Sequence, residues 1–518
     1  MPSVCTQVRS SIRTHALRAA PGDDRRVNSA TELAARTPAS RDRYVDFLRV
    51  FSLGVVIIGH WLMAVLLVGP DGQVTAANLL AIVPWLQPLT WLLQVMPLFF
   101  FVGGFSHATA LRREPSYGEF VRARASRLLI PTAVFAVVWL GFAVAVELAG
   151  RDAGLLRLAT RTVAQPLWFI GVYLAVVAFA PLMLSLHRAY GVLVPAGLGA
   201  GAVAVDVARF QAGLGQIGYL NLLLVWLAVH QLGFFYADGR LGRRAALALI
   251  GGGLVAVLGL TGYGPYPISM VGMPGERISN MSPPTLALLA HAVWLIGLAL
   301  LIRGPVTRWL ARPRVWAGVI EANGLAMTAF LWHLTALFLA GSGQLALGLV
   351  QPPVGSAAWW LLRPVWLSLL ALVTGGLVTV FRRADRHRAP GGQAYGPGRS
   401  VAGMMLCLIA ILGFSVVGFG GALAGRTGHL LMLPVTPVSC TFMLVAGAAL
   451  LGLTRRTTGA TRSHAGRFQE IVQVAQGIQG AHTGGGKHNG DTDHQGQAAL
   501  RRCGEQRGDA PRYRSGVG

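Results

Sequence analysis

Twelve runs of mainly apolar residues lie near 45–68, 89–111, 128–149, 166–186, 192–208, 219–237, 243–262, 284–303, 323–341, 357–381, 401–424 and 429–454. About 20 such residues suffice for a helix to cross the hydrocarbon core of a bilayer. A segment in lipid must also satisfy its backbone hydrogen bonds internally, so repeated apolar runs leave few options besides a bundle of helices. The expected fold class is therefore all-α and integral to the membrane, a polytopic helical bundle.

Composition supports this reading. With 53% hydrophobic and 12% charged residues over 518 positions, the chain has too little polar surface for a soluble protein of this size. A formal charge of +24 would suggest nucleic acid in a soluble chain, but here the arginines sit in short loops between spans. With the N-terminus in the cytoplasm, the inner segments before the C-terminal tail collect 26 arginines and the outer loops 7. That asymmetry predicts a multi-pass protein with a cytoplasmic N-terminus and membrane lipid as a partner, not nucleic acid. Arginine use with a single lysine, Lys487, suggests a GC-rich bacterium, hence its plasma membrane. Residues 1–43 hold eight arginines and no apolar core, so they read as a disordered cytoplasmic tail rather than a secretory signal. Residues 383–400 read as a cytoplasmic linker and 455–518 as a second disordered tail. Cys5, Cys407, Cys440 and Cys503 have no paired spacing and suggest neither a disulfide framework nor a metal site.

The first span carries charge where charge is costly. Asp46, Arg49 and His60 lie inside it, and intramembrane ionisable residues usually face protein or a cavity and mark function. Eleven residues separate Arg49 from His60, which places them on nearly one helix face, about 16 Å apart along the axis. Asp46 lies close to the same stripe and could orient Arg49 through an i,i+3 pair. Arg124 and Arg127, three residues apart at the inner end of the third span, could join Arg49 in a cationic site, since guanidinium groups match phosphate oxygens. His60 lies too deep to be a flanking residue, and a neutral imidazole can act as a general base.

Other polar positions are weaker candidates. His230, His291 and His333 lie within spans, where each could line a cavity or bond a neighbouring helix. Glu147 and Glu321 fall near span ends, where snorkelling explains them. Pro97 and the Gly103-Gly104 notch suit close approach of a helix or a thin ligand. The long outer loop at 263–283 could be an acceptor platform or a rigid connector. There is no phosphate-loop pattern, no His-Glu-x-x-His, no Gly-x-Ser-x-Gly and no metal-ligand spacing. From these residues alone an enzyme, a transporter of a small solute or lipid-linked sugar, and a non-catalytic sensor all stay open.

Asp-Phe-Leu-Arg with a histidine eleven residues after the arginine is followed by Pro-Leu-Phe-Phe-Phe-Val-Gly-Gly-Phe, then by Phe-Val-Arg-Ala-Arg-Ala-Ser-Arg-Leu-Leu-Ile-Pro. Leu-Trp-Phe-Ile and Phe-Leu-Trp-His come later. In this order, over about residues 42–382, they resemble the membrane-bound acyltransferase 3 family. The resemblance implies about ten core transmembrane helices over 44–382, leaving two additional ones at 401–454. It also implies an O-acyltransferase that moves an acyl group, with acetyl-CoA the expected form of the cytoplasmic acyl-CoA donor. The acceptor would be a hydroxyl on an extracytoplasmic carbohydrate, a cell-envelope glycan or an exported natural product. His60 and Arg49 match the family's essential first-helix pair, and Arg124 and Arg127 its Arg-x-x-Arg pair, which would bind the donor; no metal is implied. Where the family commonly has Ser-Gly-Phe, this chain has Gly103-Gly104-Phe105, so that serine hydroxyl is absent.

Overall fold

The structure, a computed structural model, describes residues 37–38, 41–68, 74–113, 116–150, 153–273, 275–383 and 395–454. The chain divides after Arg455, and every described residue belongs to the first part. The tail expected at 455–518 lies outside the described residues, as do 384–394 of the linker and most of the expected N-terminal tail.

Helix α1, Arg43–Met63, starts where the Asp42 carboxylate accepts the backbone N–H groups of Tyr44 and Val45, which satisfies two donors that a helix start leaves open. Part of the expected tail is built into this end. Thr37 accepts a hydrogen bond from Trp316 at 3.0 Å, and the Arg41 and Arg43 guanidiniums lie over the same indole.

The first span is shorter than expected, because α1 stops at Met63 and Ala64–Val68 (β1) pairs antiparallel with Val74–Asn78 (β2). Hydropathy registers only that the segment is apolar. Its valines and the Gly-Pro-Asp-Gly that follows at 69–72 favour a hairpin over another helical turn. Helical turns at Leu79–Ile82, Pro84–Leu89 and Thr90–Leu93 lead into α2, Met96–Leu111.

The bundle continues through α3 (Tyr117–Leu148), α4 (Ala153–Ala164), α5 (Leu167–Tyr190), α6 (Leu193–Gln211), α7 (Asn221–Ala237) and α8 (Arg243–Tyr263). Helices α9 (Leu286–Leu310), α10 (Pro313–Ala346) and α11 (Ala357–Phe381) complete the part resembling the family. Then come α12 (Pro397–Val417), a hairpin of β3 (Gly428–Leu430) and β4 (Leu433–Val435), and α13 (Pro437–Leu450). Among the described residues, eleven helical segments are long and apolar enough to cross a membrane, so the chain is a multi-pass helical membrane protein. Ten fall before residue 382, and α12 is the eleventh.

The twelfth expected span, 429–454, is interrupted. Its first residues form the β3–β4 hairpin, and α13 has only 14 residues, a length of about 21 Å against a hydrocarbon core of about 30 Å.

Helix α1 is enclosed by α2, α9, α10 and α11. Against α7, α2 packs through glycine: a Cβ on Gly104 would collide with the His230 carbonyl, and one on Gly233 with the Phe101 carbonyl. Another helix therefore fills the Gly104 side of the notch, while Gly103 faces the Tyr173 ring.

The 263–283 loop is tied down rather than open. Trp91 Nε1 donates to the Ile268 carbonyl at 2.8 Å, Gln94 Nε2 to the Met270 carbonyl at 3.1 Å, and the Tyr266 hydroxyl to Asp206 at 3.0 Å. Burial, with the Asp206 carboxylate beside it, pushes the Tyr266 hydroxyl pKa up from its ordinary value, which keeps it a donor at neutral pH.

Candidate active site

His60 sits in the last turn of α1, and the sequence at 330–333 brings His333 to it from α10. The rings are 5.1 Å apart, with His60 Nδ1 3.2 Å from His333 Nε2. On its other side, His333 Nδ1 is 2.5 Å from the Phe330 carbonyl. A carbonyl can only accept, so Nδ1 of His333 carries the proton and its Nε2 offers a lone pair. His60 Nδ1 must then be the donor, which leaves the proton-accepting lone pair of neutral His60 on Nε2. His333 is fully buried and His60 partly exposed. One ring is thus an internal prop and the other can reach a ligand.

Arg49, near the other end of α1, is clamped from two helices. Its Nη1 donates to Asp46 Oδ1 at 3.1 Å and its Nη2 to Ser106 Oγ of α2 at 2.9 Å. Asp46 is itself fixed, accepting from Arg41 Nε at 2.6 Å and from Asn323 Nδ2 at 3.2 Å. The expected Asp46–Arg49 pair is present, while Ser106 and Asn323 are additions. Neither carried a readable signal, since Asn323 stands at the very start of the apolar run at 323–341 and Ser106 is a lone serine on α2.

Arg124 reaches the same region: its guanidinium lies over the Phe120 ring at 5.2 Å, and that ring meets His107, the neighbour of the Ser106 that holds Arg49. Arg127 is exposed on α3, three residues on. The structure therefore places Arg124 near the α2 turn that holds Arg49, with Arg127 exposed on α3.

The other buried histidines differ in role. His291 is satisfied on both sides, with Nε2 3.0 Å from the Gln94 carbonyl and Nδ1 accepting from Trp294; it is structural. His230 pairs with His107 at 2.9 Å, a contact between α2 and α7. Glu147 does not simply reach for solvent, because its carboxylate accepts the backbone N–H groups of Gly421 and Leu423. Glu321 is exposed.

Beyond the histidine pair lies a narrow cavity of about 60 Å³, walled by β1, α4, α10 and α11. Ala64 follows His60 by four residues, and Leu334 and Leu337 follow His333; all three line it. Along α1, the arginine cluster and the cavity thus lie on opposite sides of His60.

Fold and site together define a polytopic helical membrane protein with two histidines and a braced arginine inside its bundle. The chain belongs to the acyltransferase 3 family, whose model, described as an acyltransferase domain, matches residues 42–382. It is a membrane acyltransferase. No curated protein and no solved structure matches the chain.

Proposed function

We propose that the protein transfers an acyl group, acetyl in the first instance, from cytoplasmic acyl-CoA to a hydroxyl on an extracytoplasmic carbohydrate, cell-envelope glycan or exported natural product. The observation that carries this reading is the His60–His333 pair, which orients a base between an arginine cluster and a cavity. In the proposal, donor phosphates dock at Arg49 and Arg124, with Arg127 at the entrance, and the thioester arm runs along α1 toward His60. Paired guanidinium groups suit those phosphates because each offers a planar fork of donors.

His60 Nε2 takes the proton from the acceptor hydroxyl as its oxygen attacks the thioester carbonyl. The carbon–sulfur bond then breaks, and the proton on His60 passes to the departing thiolate, so the ring ends neutral. His333 holds the reactive tautomer throughout. With the N-terminus cytoplasmic, donor and acceptor approach His60 from opposite sides.

The reading is tested by thiol release from acetyl-CoA in vesicles containing the full-length protein, with an acceptor-bearing extract inside. Release that depends on the extract and drops at least a hundredfold in His60→Ala, the usual scale of general-base loss, supports it. Extract-dependent release at an undiminished rate in that variant would overturn the role of His60.

A further inference from the structure

The cavity beyond the histidine pair holds a buried cation. Its wall is mainly apolar, but Arg363 of α11 lines it while only 8% exposed. Among the described residues no carboxylate lies within ion-pair distance of Arg363, and its Nε has no hydrogen-bond partner. The guanidinium carbon sits 3.9 Å from the centre of the Trp359 ring and 5.8 Å from that of Trp366. Aromatic faces attract the cation but accept none of its N–H groups through lone pairs. Trp359 lies four residues before Arg363, and its own Nε1 is buried without a partner.

An unpaired cation in an apolar wall calls for an acceptor-rich group, and a planar guanidinium in a desolvated site matches a carboxylate or phosphate best. Intramembrane arginines otherwise pair within the protein or face a substrate path. In the acyl-transfer reading, on which this inference rests, the donor's phosphates belong at Arg49 and Arg124, on the far side of His60. An anion at Arg363 must therefore arrive with the other substrate.

We propose that this cavity seats the acceptor and that Arg363 pairs with an anionic group on it, so the acceptor is a hydroxylated amphiphile bearing a carboxylate or phosphate. Its apolar part lies along Leu334, Leu337 and Phe338. The anchored anion sets which hydroxyl is presented toward His60 Nε2. The β1–β2 hairpin, through Val65 and Ala76, closes one side, so the segment that departs from a plain spanning helix becomes part of the acceptor site.

The test uses full-length protein in phosphatidylcholine nanodiscs, titrated with octyl glucuronide and with octyl glucoside. These amphiphiles share a chain and most of their hydroxyls but differ in charge. Wild type is expected to bind the glucuronide at least about tenfold more tightly, the scale of one charge-assisted hydrogen bond. Arg363→Gln should lose that preference and Arg363→Lys regain part of it, with acetyl-CoA binding unchanged in both. No preference in wild type, or one retained in Arg363→Gln, overturns the proposal.

Repeating the titration in phosphatidylglycerol nanodiscs separates an acceptor from a lipid head group. If the difference between wild type and Arg363→Gln vanishes there, lipid occupies the arginine and the proposal fails. Thiol release in His60→Ala is a separate readout, so failure of the acceptor assignment is distinguishable from failure of acyl transfer itself.

Discussion

A neutral histidine donates from one nitrogen and accepts at the other, and the Phe330 carbonyl settles that choice for His333. Because the choice propagates to His60, His333 is a positioning residue in the proposed mechanism. His333→Ala should lower kcat about tenfold or more while leaving the donor KM unchanged, and the pH profile of kcat should shift, since the His60 Nδ1 proton loses its acceptor. A change in donor KM alone would assign His333 to binding instead. Asp46 works at the other end of α1, accepting from Arg41, Arg49 and Asn323. Asp46→Asn should raise the donor KM about tenfold with little effect on kcat, because a charge-assisted hydrogen bond holding the guanidinium is weakened; steady-state kinetics with acetyl-CoA check this. His60, Arg49 and Asp46 were legible in the sequence because charge inside an apolar run is conspicuous. The partner of His60 was not, because 273 residues separate it from His333 and hydropathy does not say which helix faces meet.

Helix number is legible in hydropathy and helix ends are less so. Apolar runs betray themselves by length alone, which is why ten candidate spans precede residue 382 in the structure as in the reading. The segments at 64–68 and 429–435 are apolar too, but they form hairpin strands, and hydropathy is blind to the difference over so few residues. The elements after residue 382 fall outside the family match yet join the bundle. Helix α12 packs along α5 and α13, Phe419 meets Phe135 edge-on at 5.7 Å, and Glu147 at the end of α3 holds the backbone of the 421–423 loop. Glu147→Gln should destabilise this attachment by about 1–2 kcal/mol, as expected when a charged acceptor becomes neutral. Protection of the 418–427 backbone in hydrogen exchange should fall while α1 and α10 keep theirs. Equal loss in all three would show that the carboxylate stabilises the whole bundle instead.

Across the whole molecule, contacts between α1 and α10 carry a sense of direction. Asp46 meets Asn323 and His60 meets His333, so both chains advance the same way along the contact. The two are the first and ninth candidate spans, and an alternating path sends odd-numbered spans in one direction. The arginine asymmetry then predicts the side: cysteines introduced at Arg113 and at Arg277 should label from opposite faces, the first from the cytoplasm. Labelling of both from one face would contradict the alternation. Acceptor identity was not legible in any motif, and the cavity proposed to seat the acceptor is assembled from a hairpin and three helices distant in sequence. In the proposed mechanism this assembly delivers an acyl group through His60. The most direct test is mass analysis of surface glycans and exported small molecules from cells expressing wild type or His60→Ala at equal protein levels. Products heavier by one acyl group are expected with wild type and none with His60→Ala; the same mass increment in both would rule out acyl transfer through His60.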